Sequence, residues 1–503
     1  MINFKNKKRN LIVVSNRLPF SRYHNKSGKV VWEKATGGLI TAMDSILRDT
    51  NGIWLGWDGI ISENIEKIKK SKVKLLNTKD VWAKQESWKK SYRIGCIPLT
   101  KEEFEEYYNR FSNGTLWSLF HYFFEKSFID YKCWDTYCKV NERFARYIDE
   151  IASKDDIIWI QDFHLFMVPY YLREIRPNQE IHFFLHIPFP HIDIFSILPW
   201  QKNILESLLC CNSTGFHHKR YMRNFANAVN LYKKEKKKYG EKTIEEKTTT
   251  HIYANPISID FDLLNRTSRD EEVQKRVQEI RSETACPKRI IGVDRIDYSK
   301  GIKQRLLGLE ALLDSHPELK EQFFYYQLVV PSREDVGEYK KLKKEIDGIV
   351  GRINGKFSTG LWSPIHYKYG KVEFKELVAL YLASDVGLVT PLRDGMNLVC
   401  KEYVAAHSDN DGVLVLSKFA GAIAEIKNCL SVNPYSIEDV ENAIYQALHM
   451  PQEERKKRMA KMRRSIKSNT IKTWLDNCLK DFKVSQFDIK QEEGKSGIYE
   501  AFE

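Results

Sequence analysis

The thirteen residues Pro391–Tyr403, PLRDGMNLVCKEY, hold the densest chemistry in the chain. They follow an apolar run of strand type, VGLVT at 386–390, and combine a charged turn, a glycine and a helix-compatible stretch ending in a carboxylate. A strand that runs through a glycine turn into a helix directs free backbone N–H groups, and the positive end of the helix dipole, at whatever lies beyond the strand. That arrangement suits an anion, most often a phosphate. The segment offers Asp394, Gly395, Met396, Asn397, Leu398 and Val399 around the turn, then Glu402, which can share a helix face with Leu398. A carboxylate there can accept two hydroxyls at once, as the diol of a ribose offers. Asp394 to Glu402 spans about 12 Å at roughly 1.5 Å per residue, the length of a sugar nucleotide. Taken by itself, the segment also suits a solvated loop followed by an ordinary amphipathic helix.

Other strand ends carry polar groups of the same kind. SNRLPF (15–20) places Arg17 after the first apolar run, and ATGGL (35–39) adds paired glycines that let backbone approach a ligand closely. IIWIQDFHL (157–165) puts Asp162 and His164 just past a buried strand, and HFFLHIPFP (182–190) puts His186 at the end of another. GVDRIDYSKG (292–301) sets Arg295 and Lys300 five residues apart. Such a pair can clamp a diphosphate and stabilise the charge that grows as a phosphate leaves, or it can serve as surface salt bridges. Arg333, in VVPSRED (329–335), adds a third cation to that edge. His182, His186 and His191 match no zinc spacing, and Pro188 and Pro190 restrict their backbone, so no metal site is expected. The chain carries no Walker A loop, GxSxG elbow or HExxH helix.

The elements that must position these residues are short apolar runs, most of them followed by helical patterns: 11–15, 157–161, 181–186, 289–293, 325–330, 386–390 and 412–417. Near-continuous apolar strands alternating with helices predict parallel sheets covered on both faces, an α/β architecture. The runs form two groups divided near PISIDFD (256–262). The pattern predicts two doubly wound domains with a cleft between them and ligands at the carboxyl ends of the strands. The expected boundaries are 1–256 and 257–464, with a helix at 465–484 packing back on the first domain and a loosely ordered tail at 485–503.

Composition narrows the function classes. Lys and Arg number 80 against 67 Asp and Glu, a net charge of +13, and hydrophobic residues make up 42%, enough for full cores. The lysine runs at 67–74 and 233–238 have no interleaved aromatics or nucleic-acid motif, so they read as solvated faces, and a nucleic-acid partner is not expected. Nine cysteines form no CxxC pair, which predicts free thiols in a reducing, cytoplasmic compartment. The apolar run at 11–14 is too short for a signal peptide, and the stretch 181–200 contains three histidines, an aspartate and three prolines, so neither predicts a membrane segment.

Many motifs in one order carry a resemblance: SNRLPF, TGGL, WLGWDG, EEYYNRFSNGTLW, WIQDFHL, FFLHIPFP, GVDRIDYSKG, PSREDV, GRINGKFS, SDVGLVTPLRDGMNLVCKEYVA and VLVLSKFAGA. From about Asn10 to Phe482 the chain resembles the trehalose-6-phosphate synthases, retaining glycosyltransferases of the GT-B fold, which has two Rossmann-like domains facing a central cleft. The resemblance implies transfer of glucose from UDP-glucose to glucose 6-phosphate, without a cofactor or catalytic metal. It implies that Arg17, Tyr108, Trp117 and Arg333 hold the acceptor's phosphate and ring, with Trp57 nearby and Asp162 orienting hydroxyls. Gly38, Arg295 and Lys300 fall to the donor diphosphate, His186 to the transferred glucose, and Asp394 through Val399 to the sugar and nucleotide. Glu402 falls to the ribose. On this resemblance the catalytic set is Asp162, His186, Arg295 and Lys300.

The chain departs from the family at Gln161-Asp162-Phe163-His164, where HDYH is common. It departs again at Gly215-Phe216-His217-His218 for GFQT and at Pro256-Ile257-Ser258-Ile259 for PIGI. These departures bear on the acceptor. A relative that uses another phosphorylated acceptor, such as glycerol 3-phosphate, is the first alternative; Tyr108, Trp117 and Arg333 together argue against it. A catalytically inactive regulatory subunit is the second, against which stand Asp162, Arg295, Lys300 and Glu402. The resemblance is compatible with a homo-oligomer and with a separate trehalose-phosphate phosphatase as partner. The phosphatase domain that many members carry is not expected in a chain whose last predicted helix ends at 484 of 503.

Overall fold

The computed structural model describes residues 9–24, 29–34, 38–63, 72–81, 91–239, 249–283, 286–332 and 337–491. The described residues divide into two compact units. One holds those up to Pro256 and those from Trp474 onward; the other is Ile257–Thr473.

Unit one is built on an eight-stranded sheet. Its strands are β1 (Leu11–Arg17), β2 (Ile53–Trp57), β3 (Leu75–Asn77), β4 (Arg93–Cys96), β5 (Ile157–Gln161), β6 (Glu180–Leu185), β7 (Ser213–Phe216) and β8 (His251–Ala254). They lie in the order β8-β7-β6-β5-β1-β2-β4-β3. All neighbours are parallel except β3, which runs antiparallel to β4 at the edge. The first six residues of β1 are buried, as a strand covered on both faces requires, and only Arg17 at its end is exposed. β1 lies between β2 and β5, so the direction of chain order reverses there; this is where an α/β sheet leaves room for a ligand. Helix α1 (Gly38–Thr50) begins at Gly38.

Unit two is a six-stranded, wholly parallel sheet: β9 (Lys288–Arg295), β10 (Phe323–Val330), β11 (Ile365–Tyr369), β12 (Val386–Val389), β13 (Val413–Ser417) and β14 (Leu430–Val432). The order β11-β10-β9-β12-β13-β14 is that of a doubly wound mononucleotide-binding sheet, with its reversal between β9 and β12. Helices α2 (Ile302–Ser315), α3 (Phe374–Ala383) and α4 (Leu398–Ala406) serve the site.

Helix α5 (Ile471–Gln491) begins in unit two, where the Ile471 N–H donates to the Ile259 carbonyl over 2.9 Å, and continues in unit one from Trp474. In unit one, Trp474 stacks on Trp159 of β5 at 5.6 Å, and Phe482 meets Trp159 edge-on at 5.2 Å and stacks on His182 at 3.7 Å. Each fully buried large apolar side chain contributes about 1.5–3 kcal/mol, enough to dock the helix on the sheet. Residues 485–491, expected to be loose, are helical; no glycine or proline interrupts 471–491, and adding residues to a docked helix costs little. Residues 492–503 lie outside the described residues. No helix among the described residues is long and apolar enough to cross a membrane.

Candidate active site

Arg17 ends β1 beside Trp57, the residue it pairs with at the end of β2. Its guanidinium carbon lies 4.5 Å from the centre of the Trp57 ring and 5.8 Å from that of Tyr108. The rings continue from there. Trp57 meets Phe104 at 5.0 Å, Phe104 stacks on Tyr108 at 5.1 Å, and Tyr108 stacks on His164 at 5.7 Å. His164 meets Phe163 at 3.9 Å, and Phe163 meets Trp117 at 5.9 Å. Arg17, Trp57, Tyr108 and Trp117, expected from three motifs, thus belong to one connected series. The backbone that allows this is a π-helical segment, Phe104–Leu116. Phe104 and Tyr108, four residues apart, fall on one face of this segment and stack. The Tyr107 hydroxyl donates to Asn16 Oδ1 over 2.8 Å and so ties the segment to the residue before Arg17. Trp57 and Trp117 are buried within the series, while Arg17 is exposed and Tyr108 half-buried, so a cation and a ring face meet at the end of β1.

Asp162 and His186 lie together at the carboxyl ends of β5 and β6. Asp162 has a left-handed backbone, φ 74°, which turns the chain sharply out of the strand. Its N–H donates to the Phe184 carbonyl over 2.8 Å, and its Oδ1 accepts the His186 N–H over 3.1 Å. The His186 ring nitrogen Nε2 is 2.9 Å from Gln161 Oε1, and the His217 ring stands edge-on at 5.1 Å. Two of the three family departures therefore supply direct neighbours of His186. Desolvation pulls the His186 ring pKa down to about 3, which favours the neutral imidazole.

In unit two Arg295 is the exposed last residue of β9, and Lys300 comes next in a single turn of 3₁₀-helix, Tyr298–Lys300. Gly301, φ 67°, converts that turn into α2; a Cβ there would lie 2.3 Å from the Thr390 carbonyl oxygen, so no other residue fits. Beneath the turn is Arg305, fully buried. It donates to Asp294 (2.7 Å), Thr390 Oγ1 (3.0 Å), Tyr325 and Gln327 (3.1 Å each) and the Lys300 carbonyl (3.3 Å). One guanidinium thus joins β9, β10, the end of β12 and the cation-bearing turn. Sequence reading gave Arg305 no part, since a charged residue in a helix is usually at the surface.

Lys300 Nζ donates to Asp394 Oδ2 over 2.6 Å. Asp394 also accepts from the Met396 N–H (3.3 Å) and from Asn397 Nδ2 (3.1 Å). Asn397, φ 78°, caps α4 by accepting the Cys400 N–H over 3.1 Å. That cap takes the third N–H of the helix, so the first two, on Leu398 and Val399, point outward along its axis. Gly395 is pressed against the next loop: a Cβ on Gly421 would lie 2.0 Å from the Gly395 oxygen, and the Ala422 N–H donates to the Met396 carbonyl over 2.8 Å. Adjacent side chains on α4 then serve different ends. Lys401 is fully buried and holds Glu425 (2.6 Å) and the Ile257 carbonyl (2.9 Å), whereas Glu402 accepts the Tyr381 hydroxyl over 3.1 Å. Burial pushes the Glu402 carboxyl above the usual range.

Of the remaining expected residues, Gly38 opens α1, and Arg333 lies outside the described residues, as do Ala35–Gly37 of the glycine motif. No group of three or more His, Cys, Asp or Glu among the described residues could hold a metal ion.

The family model described as "Glycosyltransferase family 20" matches residues 9–484. The chain is 38% identical to the trehalose-6-phosphate synthase of Mycobacterium avium over 473 residues, 92% of this chain and 93% of that one. A solved UDP-forming α,α-trehalose-phosphate synthase from Burkholderia xenovorans, in complex with glucose 6-phosphate, superposes with a TM-score of 0.81 at 31% identity, covering 94% of this chain and all of that one. An Escherichia coli structure described as trehalose-6-phosphate bound with UDP-2-fluoro glucose gives 0.80 at 32% identity, covering 96% and 99%. These similarities extend to the two Rossmann-like sheets of the GT-B fold that the sequence predicts. The chain belongs to glycosyltransferase family 20 and is a glycosyltransferase.

Proposed function

We propose that this glycosyltransferase moves glucose from UDP-glucose to the anomeric hydroxyl of glucose 6-phosphate, with retention, giving trehalose 6-phosphate and UDP. The observation that carries the reading is the placement of Arg17 against Trp57 and Tyr108, a phosphate-binding cation set among rings that fit a pyranose. Trp117 adds a wall, Asp162 orients acceptor hydroxyls, and Arg333 is the second cation for the phosphate. On the donor side Arg295, Lys300 and the outward N–H groups of α4 receive the diphosphate, Gly38 approaches it with backbone, and Glu402 takes the ribose diol. Asp394 through Val399 receive the sugar.

In the reaction the bond from the anomeric carbon to the diphosphate oxygen breaks as the bond to the acceptor oxygen forms on the same face. The departing phosphate oxygen takes the acceptor's proton. His186, neutral and hydrogen-bonded to Gln161, can exchange a hydrogen bond with the sugar without adding charge. Arg295 and Lys300 stabilise the charge growing on the diphosphate, the task for which catalysis with a divalent metal is otherwise used. The reading therefore includes turnover without added metal.

The test is UDP release from UDP-glucose across a panel of acceptors, in chelator-treated protein, with the product's anomeric configuration read by NMR. Specificity constants should fall from glucose 6-phosphate through other hexose 6-phosphates to glycerol 3-phosphate, with free glucose near background, because unphosphorylated glucose leaves the arginines without their partner. Glycerol 3-phosphate in first place would overturn the acceptor assignment and leave the donor half standing. Turnover restored only by added magnesium or manganese would overturn the metal-free mechanism.

A further inference from the structure

Tyr381 sits in α3 with 1% of its surface exposed, its ring edge-on to Tyr403 at 6.2 Å. Its hydroxyl donates to Glu402 Oε2 over 3.1 Å. Neither the motifs nor the family's assigned roles include it. A buried phenol must place its O–H on an acceptor, and a carboxylate offers about four lone-pair sites over two oxygens. With one site on Oε2 occupied, Glu402 loses the freedom to rotate its carboxylate, and Oε1 is left for a ligand.

We infer that Tyr381 is a positioning residue of the donor site: its hydroxyl locks the Glu402 carboxylate so that it can accept both hydroxyls of a vicinal diol. The inference rests on the reading of Glu402 as the residue that binds the ribose. Such acceptance requires the ionised carboxylate. Burial favours the protonated form, and the Tyr381 hydrogen bond opposes burial. The other groups around the pair leave that balance to Tyr381. Asp294 of β9 is paired with Arg305, Lys401 with Glu425, and Arg463, from helix Gln452–Ser468, donates to the Val404 and Ala405 carbonyls. Cys400, one turn before Tyr403, is a buried neutral thiol.

The test is Tyr381→Phe, which removes one oxygen, with folding checked by thermal unfolding. A hydrogen bond to a charged group predicts a rise of about tenfold or more in KM for UDP-glucose, with kcat changed far less. The acid limb of kcat/KM should move to higher pH, because Glu402 then protonates more readily. The loss should shrink with 2′-deoxy-UDP-glucose, which lacks one hydroxyl of the diol. It should also largely vanish in a Glu402→Gln background, since the two changes act on one contact. Replacement of Tyr381 by 3-fluorotyrosine keeps the shape and makes a stronger donor, so it should move the acid limb to lower pH and keeps the test available if the phenylalanine variant fails to fold. An unmoved acid limb, or an equal KM rise for both nucleotide sugars, would overturn the inference. Calorimetry of UDP binding to the unmodified protein separates the two failures. No binding there removes the donor reading itself, whereas normal binding with an indifferent Tyr381→Phe removes only the role of Tyr381.

Discussion

Arg17 and Lys300 are both cations at the carboxyl ends of parallel strands, yet they are held in different ways. Arg17 rests on rings, with Trp57 and Tyr108 supporting its flat guanidinium. Lys300 is engaged by a carboxylate, at 2.6 Å from Asp394, and that carboxylate is itself tied into the turn that caps α4. A cation on a ring gains about 0.5–2 kcal/mol and keeps its N–H groups free for an anion. A cation in a recessed ion pair must exchange one anion for another, so its ligand competes with the protein. On the proposed reading, the ring-supported site is ready before its ligand arrives, whereas a diphosphate would have to compete with Asp394 for Lys300.

Three experiments test that contrast, and a fourth tests the burial of His186. Lys300→Ala and Arg295→Ala should each lower turnover by about 10²–10³ while the fold persists, since each removes a charged donor from growing phosphate charge; near-normal steady-state rates in both would end the clamp. Arg17→Lys should raise KM for the phosphorylated acceptor about tenfold and leave KM for the nucleotide sugar alone, because lysine keeps the charge but loses both the flat face and the forked donors. If the two KM values moved together, the assignment of Arg17 to the acceptor would fail. Asp394→Asn should slow transfer yet bind UDP a few-fold more tightly by calorimetry, as expected for loss of a competing partner worth up to about 1 kcal/mol; weaker UDP binding would mean that Asp394 supports the clamp instead of competing with it.

The fourth concerns pH and stability. The folded pKa of His186, about 3, lies below the usual value of 6.5, so as pH falls the unfolded chain takes up the proton first. Its contribution to stability is complete above that usual value and is lost as pH drops toward 3. His182 and His407 are pulled in the same direction by burial and act in the same sense. His186→Gln should flatten the acid side of the stability profile, measured by urea unfolding, by up to about 1.4 kcal/mol per pH unit. An unchanged slope would show that the ring is solvated.

The seven apolar runs read from sequence are all strands, because strands buried on both faces leave little else for their residues to be. Strands that escaped notice are those without such runs. Ile53–Trp57 is interrupted by Gly56, and Leu75–Asn77 and Leu430–Val432 have only three residues each. Asp162, His186, Arg295, Lys300 and Asp394 were legible because parallel strands all deliver the residues at their carboxyl ends to one edge of the sheet. Arg305 and Tyr381 were not. Each lies within a helical pattern, and nothing local distinguishes an inward-facing polar group from a solvated one. The π-helix over Phe104–Leu116 was equally hidden, since its hydrogen-bond pattern is chosen by packing against its neighbours rather than by residue preference.

That π-helical turn also sets what kind of change the chain can tolerate. Loss of one residue within Phe104–Leu116 would disrupt its i→i+5 hydrogen-bond pattern, since an α-helix closes i→i+4, and would force the residues on either side of the deletion to repack. Tyr108 and Trp117 would then lose their placement against Arg17 and Phe163 with every contact residue still present in the sequence. The proposed acceptor surface is thus protected less by the identity of its side chains than by the length of this stretch. Variants that shorten or lengthen it should be depleted far more severely than point substitutions at its exposed positions.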